Sequence, residues 1–258
     1  MRKTSVALFL IMTVAFGAVN AQAAGDFAHP LFRVQWQRNE RHFVNYWGPS
    51  VAERMEPYAE APGGQRLVQY FDKGRMELTD PGTATVTNGL LAKELVTGQV
   101  QLGNDTFRAK NPPQVPIAGD PDGIGPTYRW LNQKGKVVFE ATQKRLGTRT
   151  NIAVTQDGDI VINDLKPGNG PFSIAAYDRE TRHNVMDAFA GFRDNVGLET
   201  LGYAVSEPFI AKFTVGGVNR TVAVQVFERR ILTFTEANPD EFKVEFGNIG
   251  LHYENWRH

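Results

Sequence analysis

The chain has 258 residues, with 28 basic and 28 acidic side chains and therefore no formal net charge at neutral pH. A balanced charge gives no broad positive field for nucleic acid or an anionic membrane. There is no cysteine, so disulfides cannot stabilise the chain, which must rely on one large hydrophobic core or two smaller ones.

The first segment, residues 1–23, is typical of a secretory signal peptide. Arg2-Lys3 precedes an apolar run from Val6 to Val19, and the small residues Ala21-Gln22-Ala23 follow it. The run is too short to be a convincing membrane span, and no later stretch approaches the required length. We expect cleavage after Ala23 and a secreted, extracellular or cell-surface protein, more typical of bacteria than of eukaryotes. The alternative is a retained N-terminal anchor.

The remaining chain is divided into short pieces by its 25 glycines and 14 prolines. Most pieces alternate between apolar and polar residues as β-strands do. We predict a mainly β, β-rich α+β fold in which two related hairpin modules flank a small α+β section. The first module covers 24–110, the middle section 111–195 and the second module 196–258.

The first module contains a hairpin over residues 68–79. Asp72-Lys73-Gly74 is predicted to connect its strands, with Gly74 in the left-handed conformation that three-residue connections require. Leu90 to Val96 is predicted to form one or two helical turns that end at Gly98.

The middle section begins with a connector rich in proline and glycine. Alternation then predicts strands over 135–140 and 150–163, the second with a hairpin turn at Gln156-Asp157-Gly158-Asp159. The spacing of the apolar residues in 181–192 predicts a helix, with Asn184 as its cap.

The second module contains a strand over 222–227 in which neither face is clearly polar, which predicts a place inside a packed sheet. The module ends two residues after Trp256. A large aromatic residue so close to the terminus indicates that the tail is docked.

The two hairpins have similar sequences, so one unit is predicted to occur twice. Residues 68–79 align with 224–235, which places Phe71 and Phe227 at equivalent buried positions. Trp47-Gly48-Pro49 precedes the first hairpin as Leu201-Gly202-Tyr203 precedes the second. An internal repeat of this kind is typical of a scaffold or a binding surface.

Three phrases of the second module resemble a family of exported bacterial proteins and C-terminal modules. The family phrases read GYP-x-SE, VQ-x-FER-x-R and GN-x-G-x-HY-x-x-WR. Here they stand at Gly202 to Glu207, Val224 to Arg230 and Gly247 to Arg257. The first half resembles the same family through Trp47-Gly48-Pro49, Glu56-Pro57-Tyr58, Tyr70 to Glu77 and Thr87 to Leu91.

The resemblance covers nearly the whole chain after the signal segment, and it implies location and architecture but no activity. Ala204 stands where the family has proline, and Arg182 stands where a glycine is expected before His183-Asn184. The chain also resembles, more distantly, the LGFP-type repeats of bacterial cell-wall proteins.

The sequence predicts no metal site and no cofactor. Asp120 and Asp122 before Gly123 resemble the opening of a calcium loop, but no later ligand follows at the required spacing. An aspartate-rich turn is favoured, and calcium binding is left open. The five histidines lack zinc-site spacing, and there is no phosphate-binding glycine loop.

No catalytic residue is predicted, because the chain lacks a nucleophile elbow and any cysteine. A pair of carboxylates for glycoside hydrolysis would leave no local pattern. Asp72 and Glu228 occupy equivalent places near Arg75 and Arg229, which favours structural ion pairs over catalysis. The carboxylates to consider are Glu56, Asp72, Glu77, Asp120 and Glu228.

Aromatic residues beside glycine, proline or charged residues are the remaining signal for a ligand. Trp47, Tyr70 and Trp256 belong to the repeated phrases and are predicted to fill the core. The predicted ligand-binding residues are Trp36, Trp130, Tyr128, Asp120 and His183.

We therefore expect an exported, non-catalytic binding module that attaches to a cell-wall or extracellular glycan or to a surface protein. A secreted hydrolase of a polymer and a structural module that positions partners are the alternatives. The sequence leaves the oligomeric state undetermined.

Overall fold

The computed structural model describes residues 27–40, 45–155 and 159–258. The predicted signal peptide lies outside these residues. None of the helices within them combines the length and apolar composition needed to cross a membrane.

The described part of the chain has the predicted β-rich α+β architecture, with six α-helices and fourteen strands. The helices are α1 (Pro30–Glu40), α2 (Leu91–Thr97), α3 (Tyr128–Gln133), α4 (Asp187–Val196), α5 (Leu198–Leu201) and α6 (Ile249–Arg257).

Most of the strands are short. They are β1 (Ser50–Pro57), β2 (Gln65–Phe71), β3 (Gly74–Leu78), β4 (Thr87–Asn88), β5 (Gln99–Gln101), β6 (Phe107–Ala109), β7 (Ile152–Val154), β8 (Ile160–Ile162), β9 (Ile174–Asp178), β10 (His183–Met186), β11 (Phe209–Val215), β12 (Val218–Val226), β13 (Ile231–Phe234) and β14 (Val244–Phe246).

Two antiparallel meanders organise the molecule. Strands β1-β2-β3-β4 form one sheet, which we call the first meander, and β11-β12-β13-β14 form the second meander. The second meander continues into a six-stranded sheet, because β11 also pairs in parallel with β7, and β7 pairs with β8. As predicted, residues 222–226 lie in a central strand of this sheet and are buried.

The two meanders have the same strand order and the same register. Gln69 lies opposite Met76 in the first meander, as Gln225 lies opposite Leu232 in the second. Phe71 and Phe227, each at the end of a hairpin strand, are fully buried. Residues that occupy the same register position in the two meanders are called equivalent below.

Each meander is followed by a helix that contacts the hairpin turn of the other meander. In α6, the backbone N–H groups of Gly250 and Leu251 donate to the Asp72 carbonyl, at 3.1 and 3.3 Å. In α2, the N–H group of Lys93 donates to the Glu228 carbonyl at 3.1 Å. The two meanders are thus fastened to each other at both turns.

The C-terminal tail is docked as predicted, and α2 ends at Gly98 as predicted. Trp256 is 6% exposed, and its indole N–H donates to the Asn111 carbonyl. Gly98 has a φ of 68°, the left-handed conformation that ends a helix.

The predicted conformation of Gly74 is wrong. Gly74 is the first residue of β3, and its φ does not lie in the left-handed region, so only Asp72 and Lys73 lie between the strands. A Cβ atom at Gly74 would overlap the guanidinium group of Arg230. The position therefore needs glycine for space.

Two predictions for the middle section are also wrong. The predicted strand over 135–140 is a 3-10 helix, Gly135–Phe139. The predicted helix over 181–192 begins only at Asp187, because His183–Met186 pairs with β9 as a strand. Asn184 is therefore not a helix cap. Strands β7 and β8 are confirmed, while residues 156–158 of their predicted turn lie outside the described residues.

Candidate functional site

Two open clefts lie at matching places on the two meanders. The first cleft has a volume of about 340 Å³ and is lined by Tyr58, Arg66, Glu77, Thr87, Asn88 and Arg229, among others. The second cleft, of about 220 Å³, is lined by Lys73, Val222, Thr233, Glu245, Phe246 and His252, among others.

The strand register of the two meanders shows that several lining residues of the two clefts occupy equivalent positions. Each cleft lies over the second and third strands of its meander, beside the start of the helix that follows. The equivalent lining residues are Arg66 and Val222, Glu77 and Thr233, Thr79 and Thr235, Thr87 and Glu245, and Asn88 and Phe246.

Each cleft also receives a cation from the turn of the opposite meander. Lys73, on the turn of the first meander, lines the second cleft and donates to Asn248 Oδ1. Arg229, on the turn of the second meander, lines the first cleft and donates to the Asn88 carbonyl. Both clefts are therefore composed of residues from both meanders.

A buried ionic cluster forms the base of the first cleft. Arg66 Nη1 lies 2.9 Å from Glu77 Oε2, and Arg75 Nε donates to Glu77 Oε1 at 2.9 Å. Arg75 Nη1 also lies 3.2 Å from Glu56 Oε2. Burial alone would raise the pKa of both carboxyls, but the arginines outweigh it and lower both pKa values. Glu56 and Glu77 are therefore held as paired anions.

The same cluster joins the helices to the first meander. Tyr253, on α6, donates its hydroxyl to Glu94, and Arg257 Nη2 lies 3.2 Å from Glu56 Oε2. Burial raises the pKa of Glu94, because it outweighs the nearby Arg75 charge and the hydrogen bonds that Glu94 accepts. The ionic groups thus lie where two helices and a sheet meet.

The second meander has no such cluster at the equivalent positions, which are mostly apolar. The equivalent pairs are Glu56 and Ala211, Arg66 and Val222, Tyr70 and Val226, Arg75 and Ile231, and Glu77 and Thr233. Charge burial is costly unless each group is paired. The first meander therefore buries charged groups at a cost in free energy. The second meander has the same topology with mostly apolar residues at these positions, so the topology does not require the charges.

Several polar atoms around the first cleft have no hydrogen-bond partner in the described structure. They are Nε and Nη2 of Arg66, Nε of Arg229 and Oδ1 of Asn88. The side chain of Arg66 is only 2% exposed, and its guanidinium carbon lies 4.1 Å from the centre of the Tyr58 ring.

The second cleft brings together two of the predicted site residues. Asp120 lines it, and Tyr128 lies behind it with its hydroxyl 2.9 Å from His252 Nδ1. Burial lowers the pKa of His252 to about 4, so its ring is neutral at pH 7. The carboxylate of Asp120 accepts the N–H groups of Gly216 and Gly217 at 2.9 and 2.8 Å, which lower its pKa.

The other predicted site residues lie apart from both clefts. Trp36 packs against Phe27 with ring centres 6.1 Å apart, and Trp130 packs partly buried against the core. The Nδ1 atom of His183 lies 3.6 Å from Glu207 Oε1. Trp47, Tyr70 and Trp256 are buried in the core, as predicted.

Glu207 is a buried junction between the middle section and the second meander. It accepts hydrogen bonds from Thr142, Arg145 and the Asn184 backbone. Burial would raise its pKa, but the His183 ring and these hydrogen bonds outweigh that effect and lower the pKa to about 2. His183 therefore belongs to a cross-link within the fold.

Both carboxylates among the four predicted ion-pair residues have a lysine nearby. Asp72 lies 3.3 Å from Lys73 Nζ, and Glu228 lies 3.8 Å from Lys93 Nζ and also accepts the Tyr203 N–H group. Arg75 pairs with Glu56 and Glu77 instead of Asp72. Arg229 has no carboxylate within 4 Å among the described residues.

No group of three or more His, Asp or Glu side chains in the described residues could hold a metal ion. The hydrogen bonds that Asp120 accepts tie it to the turn between β11 and β12. Its place in the structure is that of a turn residue.

The sequence analysis did not predict Arg66, Asn88, Thr87 or Glu245 to be site residues. Comparison of the two hairpins was the signal that could have found Arg66, because a charged residue stands where the other hairpin has Val222. The chain matches no family model, no curated protein and no solved structure, so its function is inferred from its residues and geometry.

Proposed function

We propose that the chain carries one structural unit twice and acts as an exported, non-catalytic binding module for a cell-wall or extracellular glycan. The pair of equivalent open clefts carries this proposal. Their linings are rich in threonine, asparagine and charged side chains, which match the hydroxyl groups of a sugar.

Each cleft also has an aromatic ring on its wall, Tyr58 in the first and Phe246 in the second. The rings are 8% and 7% exposed, so a sugar would contact the exposed edge of a ring while polar groups fix its hydroxyls. Two clefts on one molecule would hold two units of a polymer, which raises the overall affinity without new contacts.

Binding is favoured over hydrolysis by the state of the carboxylates. Glu77, at the first cleft, is paired with two arginines, and Asp120, at the second, is bound to two backbone N–H groups. Both pKa values are lowered, which is the opposite of what a general acid at neutral pH needs.

The proposal is tested by sedimentation of the purified protein with insoluble cell-wall polysaccharide. Thr87→Trp and Glu245→Trp each place a large ring in one cleft at equivalent, exposed positions. We expect each variant to weaken binding at least about tenfold, since one of two linked sites is lost. The double variant should lose nearly all binding.

Ile162→Trp is the matched control, because Ile162 is exposed on β8 and lines neither cleft. It should bind like the parent protein. Failure of the parent to sediment, or a double variant that binds like the parent, would contradict the proposal. Release of reducing sugar ends by the parent would instead favour a hydrolase.

The proposed export predicts that the N-terminus of the secreted protein is Ala24, which N-terminal sequencing checks.

A further inference from the structure

The four unpartnered atoms at the first cleft define a pattern of hydrogen-bonding groups. Buried polar atoms in proteins nearly always have a partner, so a group of unpaired atoms at one cleft needs an explanation. Three of the atoms are donors, Nε and Nη2 of Arg66 and Nε of Arg229, and the fourth is an acceptor, Oδ1 of Asn88.

The free donors of Arg66 lie on one edge of its guanidinium group. Nη1 is occupied by Glu77, which leaves Nε and Nη2 as a pair. Two parallel N–H groups on an arginine match the two oxygens of a carboxylate.

One of the two cations that line the first cleft is not paired with a carboxylate. The lining carries Arg66 and Arg229 with Glu60 and Glu77, and Arg66 is paired with Glu77. Arg229 adds a cation with no carboxylate within 4 Å among the described residues. Glu60, on the rim, is exposed and accepts the Asn104 N–H group at 2.9 Å.

We infer that the first cleft binds a sugar acid, that is, a sugar unit bearing a carboxylate. The carboxylate would take the free edge of Arg66 and the charge of Arg229, and a hydroxyl of the same unit would donate to Asn88 Oδ1. This inference rests on the proposed glycan-binding function and names the substrate class of one of its two clefts.

The second cleft provides the internal comparison. Val222 and Phe246 stand at the positions of Arg66 and Asn88, so its equivalent surface has neither the free guanidinium edge nor the amide oxygen. Lys73 replaces Arg229 and already donates to Asn248. We expect this cleft to take a neutral unit of the same polymer.

Binding in the first cleft includes a movement of side chains. The unpartnered atoms of Arg66 expose almost no surface, and the Tyr58 ring lies against the guanidinium group. Tyr58 is held in turn by a 2.8 Å hydrogen bond from its hydroxyl to Asn104, beside the opening of the cleft. Side-chain changes of this size are common when a ligand binds.

The test is calorimetric titration of the full purified protein with glucuronate, with glucose and with glucose 6-sulfate. We expect the parent to bind glucuronate at least about tenfold more tightly than either of the other two sugars. Arg229→Lys keeps the charge, as in Lys73, but removes the Nε donor, and should lower the affinity for glucuronate about tenfold. Arg108→Lys, the same change at an exposed residue of β6 that lines neither cleft, should leave it unchanged.

Arg66→Val, which copies Val222, should remove the preference for the acid, and its folding is checked by circular dichroism. Should that variant fail to fold, Arg229→Lys and Asn88→Leu decide the question. Equal affinity for glucose and glucuronate would overturn the inference while leaving glycan binding intact. Equally tight binding of glucose 6-sulfate would overturn the assignment of a carboxylate. A parent that binds none of these sugars would overturn it as well.

Discussion

Single residues at equivalent positions show how the two meanders diverge in chemistry. Arg66 and Val222 occupy the same register position, and so do Arg75 and Ile231. The apolar member of each pair fills the shared core, whereas the charged member needs a buried partner. Since buried ion pairs are often no better for stability than apolar replacements, the topology alone does not require the charges of the first meander.

His252 gives a pH-dependent prediction at this scale. Its pKa is lowered by burial from 6.5 to about 4, so the folded protein disfavours the proton that the unfolded chain accepts. Stability from the neutral ring is present above pH 6.5 and is lost as the pH falls towards 4. The loss should reach about 3 kcal/mol in total, and about 2 kcal/mol by pH 5.

Urea unfolding at pH 7 and pH 5 measures this loss. His252→Gln should remove that part of the dependence, although other groups will leave a residual slope. Equal losses in the parent and the variant would show that His252 is not held neutral by the fold.

Hydrophobic alternation predicted several of the strands. It did not predict the contact between Gly74, beside the first hairpin turn, and Arg230, beside the second. The 222–226 strand and α2 could be predicted because their apolar spacing and the closing Gly98 are local signals. Gly74 could not, because its neighbour Arg230 is remote in sequence and only the folded chain brings them together. Residues 135–139 alternate like a strand, yet they follow α3 directly and continue as a 3-10 helix without a strand partner.

The clefts could not be predicted from the sequence, because they also bring together residues that are remote along the chain. Asp120 was predicted to be a site residue, in a turn that resembles the opening of a calcium loop, and it does line a cleft. Arg66 and Arg229 become neighbours only because the turn of one meander reaches the face of the other. The alignment of the two hairpin sequences gave the position of each hairpin along the chain. It did not show how the two hairpins pack against each other.

At the scale of elements, the contact between α6 and the first meander predicts the effect of a glycine substitution. A Cβ atom at Gly250 would overlap the carbonyl oxygens of Phe71 and Gly74, which are backbone atoms and cannot move aside cheaply. Gly250→Ala should therefore lower the free energy of unfolding by about 3 kcal/mol or more. Thermal and urea unfolding measure the change.

Gly191→Ala is the matched control, because Gly191 also lies in a helix, α4, and has no atom within 4 Å of an added Cβ. Alanine favours the helix there, so stability should stay the same or rise by up to about 1 kcal/mol. A Gly250→Ala protein as stable as the control would mean that α6 does not pack closely on the first hairpin.

The whole molecule resembles a dimer made within one chain. Each meander gives its following helix and its turn cation to the other, and the main hydrophobic cluster contains residues of both. Each cleft takes residues from both meanders, so neither would be complete on an isolated half. Under the proposed function, the two clefts would hold two polymer units at a fixed spacing.

The most direct test of this account is mapping of backbone amide chemical shifts during titration with a soluble oligosaccharide that contains both uronic acid and neutral units. The account predicts shifts at two places, around Thr87 and Asn88 in the first cleft and around Glu245 and Asn248 in the second. In Arg229→Lys the shifts of the first cleft should need about tenfold more oligosaccharide to saturate, and those of the second should be unchanged. Shifts confined to residues near Trp36 or Trp130, or no shifts at all, would contradict it.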